Sequence, residues 1–143
     1  MASLARKLGL KPGQTICLLD ATAETAQVIR AACAADVGGD VTVTETLDGA
    51  PFDMVYFWPR EIEGLEGRFA ALQGKIVSAG AIWVVIPKKA VAQRRGLTLT
   101  WEEMQAAALT TDLVDNKNAN MTDEEYGTRF VIRKERRRQV IIR

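Results

Sequence analysis

The run Ala81-Ile82-Trp83-Val84-Val85-Ile86 is apolar at every position. Ser78-Ala79-Gly80 leads into it and Pro87-Lys88-Lys89 stops it. An apolar run of this length between Gly and Pro predicts a strand buried on both faces. Two similar runs precede it. Thr15-Ile16-Cys17-Leu18-Leu19-Asp20 predicts a first buried strand that ends on a carboxylate. Phe52-Asp53-Met54-Val55-Tyr56-Phe57-Trp58 predicts a third, ended by Pro59. Between them Val41-Thr42-Val43-Thr44-Glu45 is β-branched and alternating, which predicts a second strand at a half-exposed edge. Helical spacing occurs twice. Val28, Ala31, Ala32 and Ala35 predict a helix over 22–35 in an alanine-rich stretch. Ile62, Leu65, Phe69, Leu72 and Ile76 step by three, four, three and four, and predict a helix over 61–78.

Beyond the central run, 90–99 reads as a basic loop around Arg94-Arg95-Gly96. Thr100-Trp101-Glu102-Glu103 is a capping box, a hydroxyl followed three residues later by Glu, and predicts a helix to about 110. A polar strand is expected over 114–119. Thr122-Asp123-Glu124-Glu125 repeats the capping pattern over one turn, and Gly127-Thr128-Arg129-Phe130-Val131-Ile132-Arg133 reads as a last strand. Strands alternating with helices imply a parallel sheet with helices on both faces, and the last two strands imply an antiparallel hairpin. The expected fold is therefore α/β, a three-layer Rossmann-like sandwich with a mostly parallel sheet of about six strands. One domain over 1–134 and a basic tail over 135–143 are expected. Only six residues separate Glu45 from Phe52. That is too few for a helical crossover, so either the link crosses as a bare segment of at most about 20 Å, the reading preferred here, or strand two is not parallel to its neighbours.

Composition narrows the chemistry. There is no histidine, which excludes a Ser-His-Asp triad, a Cys-His pair and imidazole ligation of zinc. Cys17 and Cys33 lie in apolar surroundings and read as reduced core residues, which fits a cytoplasmic location. Residues 1–10 carry Arg6 and Lys7 without a signal-peptide core, and no run approaches the roughly 20 apolar residues of a membrane span. No membrane partner is expected. Net charge is +1, but residues 129–143 hold seven Lys or Arg against Glu135. That leaves +6 there and −5 on the other 128 residues. Such asymmetry raises a nucleic-acid or acidic partner. The tail lacks interleaved aromatics, so a solvated tail is the expected reading. Val140-Ile141-Ile142 is a brief apolar patch suited to strand addition.

Leu10-Lys11-Pro12-Gly13-Gln14, Phe52-Asp53-Met54-Val55 and Ser78-Ala79-Gly80-Ala81-Ile82-Trp83-Val84-Val85 resemble segments of class I, S-adenosylmethionine-dependent methyltransferases. Nearly the whole chain also resembles a family of short bacterial proteins that forms a domain of unknown function. The shared phrases are Lys7-Leu8-Gly9-Leu10-Lys11-Pro12-Gly13, Pro51-Phe52-Asp53, the strand from Trp83 with its Pro-Lys-Lys end, and Phe130-Val131-Ile132-Arg133. The resemblance implies a truncated methyltransferase fold without the usual third strand and its helix. The glycine-rich turn of the methyltransferases is absent too: the first strand runs into Asp20-Ala21-Thr22-Ala23-Glu24. Side chains hinder approach of a cofactor there, and Glu24 at the helix start disfavours a phosphate. No cofactor, no metal and no catalytic residue is therefore expected.

Ligands of open α/β sheets sit beyond the carboxyl ends of the strands where the strand order reverses. Asp20, Glu45, Trp58, Arg60, Lys88 and Lys89 are the residues expected there. Arg60 and the lysines suit an anionic group, Glu45 a ribose and Asp20 a ligand hydroxyl or a local cap. Trp58 suits a stacked ring, while Trp83 and Trp101 read as packing residues. The expected function is a non-catalytic, methyltransferase-like domain for a small anionic ligand or a protein partner. The alternatives are a minimal S-adenosylmethionine-dependent methyltransferase and a nucleic-acid-associated module working through the tail.

Overall fold

The computed structural model describes residues 3–136. The basic tail expected over 135–143, with its apolar patch, lies outside the described residues from 137 onward. Six strands form one sheet in the order β2-β1-β3-β4-β6-β5. They are β1 (Thr15–Leu19), β2 (Thr42–Thr44), β3 (Phe52–Phe57), β4 (Ile76–Pro87), β5 (Leu113–Asn120) and β6 (Glu125–Ile132). β2, β1, β3 and β4 run parallel, and β6 pairs antiparallel with both β4 and β5. The bare link from β2 to β3 does cross β1, because β2 and β3 flank it on opposite sides. The order reverses at β1, so the crevice defined by topology opens between β1 and β3.

β4 shows why its run from Ala81 to Ile86 has no polar positions. Ala81, Trp83 and Val85 enter the core beneath α1 (Leu4–Leu8) and α2 (Ala23–Asp36). Ile82, Val84 and Ile86 enter the opposite core, beneath α3 (Leu65–Gln73) and α5 (Trp101–Ala108). A period of two fills both layers from one strand. Trp83 is fully buried, donates its indole N–H to the Leu8 carbonyl at 3.3 Å, and lies parallel to Tyr56. Gly127 of β6 lies against this ring. A Cβ there would stand 2.4 Å from Met121 Cε and 3.0 Å from Trp83 Cε3. The glycine is in the strand because the indole needs its space.

Four sequence expectations change. The stripe read over 61–78 is a shorter helix, α3. Gly64, at φ +73°, starts it and Gly74 ends it. Ile62 is exposed and Ile76 opens β4. The inward stripe of α2 is Thr25, Ile29, Ala32 and Cys33, while Ala31 and Ala35 face solvent. The basic loop over 90–99 begins as a helix, α4 (Lys89–Arg94), anchored by buried Val91. The hairpin strands extend beyond their expected ends, β5 to Leu113 and Asn120 and β6 back to Glu125. The capping box at Thr100 and Glu103 forms in both directions. Both cysteines are buried free thiols, and burial raises the pKa of each.

Candidate functional site

The parallel strands end at Asp20, Trp58 and Lys88, and β6 begins at the same end, where Glu125 pairs with Pro87. Alternation along β6 then sets the two faces of this mouth. Glu125 and Gly127 point to the α2 face, and Tyr126 points to the α5 face.

On the α2 face the mouth is occupied by the chain itself. Glu125 is 2 % exposed. One of its carboxylate oxygens accepts from Thr22 Oγ1 at 2.8 Å, from Thr25 Oγ1, and from Trp58 Nε1 at 3.2 Å. The other accepts from Arg95 at 2.7 Å. Arg95 reaches Glu124 as well, at 3.0 Å. Thr22 is the N-cap of α2 yet makes no cap bond with its side chain; its hydroxyl serves Glu125 instead. A carboxylate suits this position, because the unpaired amides and dipole of a helix start favour negative charge. Burial alone would raise the pKa of Glu125. The donors Arg95, Thr25, Thr22 and Trp58 outweigh burial and hold it below the usual carboxylate range.

On the α3 side a cavity of about 330 Å³ remains, lined by Asp20, Trp58, Pro59, Arg60 and Arg68 among others. Asp20 has φ +62°, a conformation that favours glycine and that Asp tolerates better than most residues. Its carboxylate accepts from Arg68 at 3.0 Å, and Arg68 lies 4.6 Å over the Phe57 ring. This pair is half-exposed, so it contributes little to stability.

The six residues expected at one mouth are thus distributed. Asp20, Trp58 and Arg60 share the cavity beside β1 and β3. Trp58 is buried with its indole N–H committed to Glu125. Glu45 is exposed and paired with Arg30 on the outside of α2 at 2.8 Å. Lys88 is the N-cap of α4 and its amide donates to the Glu124 carbonyl. Lys89 lines a separate cavity against Trp101 and Tyr126. Glu125, Arg95, Thr22, Thr25 and Arg68 were not among the expected residues. A wider groove of about 640 Å³ lies at the far end of the sheet. Asp112 in its wall is already bonded to Gln73 and Arg136. Among the described residues no cluster of ligating side chains is arranged for a metal, and no helix is long and apolar enough to cross a membrane.

This strand order, with its antiparallel terminal pair, is the fold of the class I, S-adenosylmethionine-dependent methyltransferases. The N-methyltransferase NodS from Bradyrhizobium japonicum superposes with a TM-score of 0.58 at 10% identity, covering 90% of each chain. NodS in complex with S-adenosyl-l-homocysteine gives 0.57 at 12% identity, over 92% of this chain and 84% of that one. A TehB-like SAM-dependent methyltransferase from Corynebacterium glutamicum gives 0.57 at 10% identity, over 90% and 86%. Identities this low establish the fold and nothing further. By sequence the chain belongs to the family described as "Protein of unknown function (DUF3052)", which matches residues 5–134. No curated protein matches it.

Proposed function

We propose that this chain is a non-catalytic, methyltransferase-like domain that binds a small ligand or a protein partner and does not use S-adenosylmethionine. The observation that carries this reading is the Glu125 carboxylate. It occupies the start of α2 beside β1 and β3 and is held by Thr22, Thr25, Trp58 and Arg95. A cofactor entering from that side would have to displace a buried, four-donor carboxylate and leave Arg95 with Glu124 alone. Breaking such a pair costs roughly 3–5 kcal/mol. The turn at 20–24, which has no glycine, supports the same reading. Calorimetric titration with S-adenosylmethionine is expected to give no binding heat; micromolar affinity overturns the proposal.

A minimal methyltransferase is the competing reading. The cavity beside Asp20 and Arg60, at the strand ends where such folds place ligands, is the observation in its favour. The same titration separates the two.

A further inference from the structure

We infer that the ligand site of this domain is the cavity between the end of β4, α4 and the start of α5, and that it takes a small zwitterion with an aromatic or branched side chain. The proposal rests on the reading above, that the domain is a binder, and names the class of ligand. The cavity holds about 420 Å³, within the size range of small-molecule sites. It lies beyond the carboxyl end of β4, one strand over from the crevice between β1 and β3. Ile86, Leu97, Leu99, Trp101 and Tyr126 provide its apolar and aromatic wall.

That wall is fixed from outside the cavity. The Trp101 indole N–H donates to Thr128 Oγ1 at 2.9 Å, and the capping box at Thr100 locks the helix turn that carries Trp101 and Glu102. Among the described residues Lys89 and Glu102 have no ion-pair partner, and the side chains of Gln93, Thr98 and Tyr126 have no hydrogen-bond partner, the Tyr126 hydroxyl lying within electrostatic reach of Glu102. The cavity beside Asp20 also holds charges without an ion-pair partner among the described residues, Arg60, Glu61 and Glu63, but there the Trp58 indole N–H is committed to Glu125 and Arg68 to Asp20. One uncommitted cation and one uncommitted anion beside an aromatic wall match a ligand that carries both charges. They do not match a simple anion, which Glu102 would repel, or a simple cation, which Lys89 would repel. An α-amino acid with a large apolar side chain has this chemistry and fits this volume.

The test uses the full chain with 15N-labelled indoles, so that Trp58, Trp83 and Trp101 report separately. L-Phenylalanine is titrated beside phenylacetate, phenethylamine and benzyl alcohol. L-Phenylalanine is expected to shift the Trp101 signal saturably and leave buried Trp83 still. Phenylacetate and phenethylamine are expected to bind about tenfold more weakly, each lacking one charge-assisted contact. Lys89→Ala should remove the advantage of L-phenylalanine over phenethylamine, and Glu102→Gln its advantage over phenylacetate. Both residues are exposed, so neither variant threatens folding. A silent Trp101, or equal binding of all four compounds, overturns the proposal. A response of Trp58 to S-adenosylmethionine would instead overturn the non-catalytic reading, so the two failures are told apart by which indole moves.

Discussion

The two faces of the mouth handle charge in opposite ways. On the α2 face the buried charge is satisfied inside the chain: Glu125 has four donors, and Arg95 spans Glu124 and Glu125. On the α5 face Lys89 and Glu102 stand beside an aromatic wall with no ion-pair partner among the described residues. The first arrangement fills the start of α2 with the chain's own carboxylate. The second adds almost no stability and leaves donors and acceptors free for a ligand. A fold shared with enzymes therefore says little about where a ligand goes, because side chains decide which part of the mouth stays open.

The largest effect should come from breaking the closed face. Glu125→Ala leaves Thr22, Thr25 and Trp58 without their acceptor and Arg95 with Glu124 alone. It is expected to cost roughly 3–5 kcal/mol in urea unfolding, at the lower end because Arg95 is 32% exposed. A loss below 1 kcal/mol would mean that solvent already satisfies these donors. Next comes Gly127→Ala, which drives a methyl group into Met121 and Trp83. It should cost roughly 1–3 kcal/mol by overpacking, measured the same way.

The acid response of the closed face is more modest. Glu125 has a folded pKa below its ordinary value near 4.5. Its stabilisation is thus fully present above that value and is lost as pH falls through the lower, folded value. Stability measured against pH should decline more steeply in this acid window for the wild type than for Glu125→Gln. Identical slopes would show that Glu125 does not carry the effect.

Smallest of all are changes on the open face. Lys88→Ala and Lys89→Ala should each lie within about 0.5 kcal/mol of the wild type, because Lys88 uses its backbone amide and Lys89 is exposed. Ending the chain after Lys134 should also leave the fold intact. Among the described residues it removes the half-exposed pair of Arg136 with Asp112, a contribution of about 0–1 kcal/mol. A cooperative unfolding loss in either case would make these residues part of the core.

What could be read in the sequence was what is local. The double-sided burial of β4 follows from its unbroken apolar run, and the start of α5 from Thr100 and Glu103 alone. Counting residues narrowed the link from β2 to β3 to a bare crossing or a non-parallel β2, and the parallel pairing of β2 with β1 decides for the crossing. The helix read over 61–78 was overextended because Ile62 and Ile76 share the period of α3, while Gly64 and Gly74 set its actual ends. Helix α4 was hidden by its charges, since Arg94-Arg95-Gly96 resembles a loop whatever Val91 does. Glu125 was hidden more deeply. Its partners lie 30, 67, 100 and 103 residues away, and its own neighbours, Thr122 to Glu124, suggest only a cap. A local signal did exist. Alternation back from Val131 through Gly127 puts Glu125 on the inner face of β6, where an unpartnered carboxylate is not tolerated.

The short second strand has one more consequence, for the borders of the sheet. β2 is three residues long, so that border offers an incoming chain almost no ladder to join. The opposite border, β5, is long but carries Asn116, Lys117, Asn118 and Asn120 and breaks register between Asp115 and Lys117. Brevity at one border, and charge with an irregular ladder at the other, are the devices by which sheets resist edge-to-edge stacking. The sheet thus has two borders that are poor templates for aggregation.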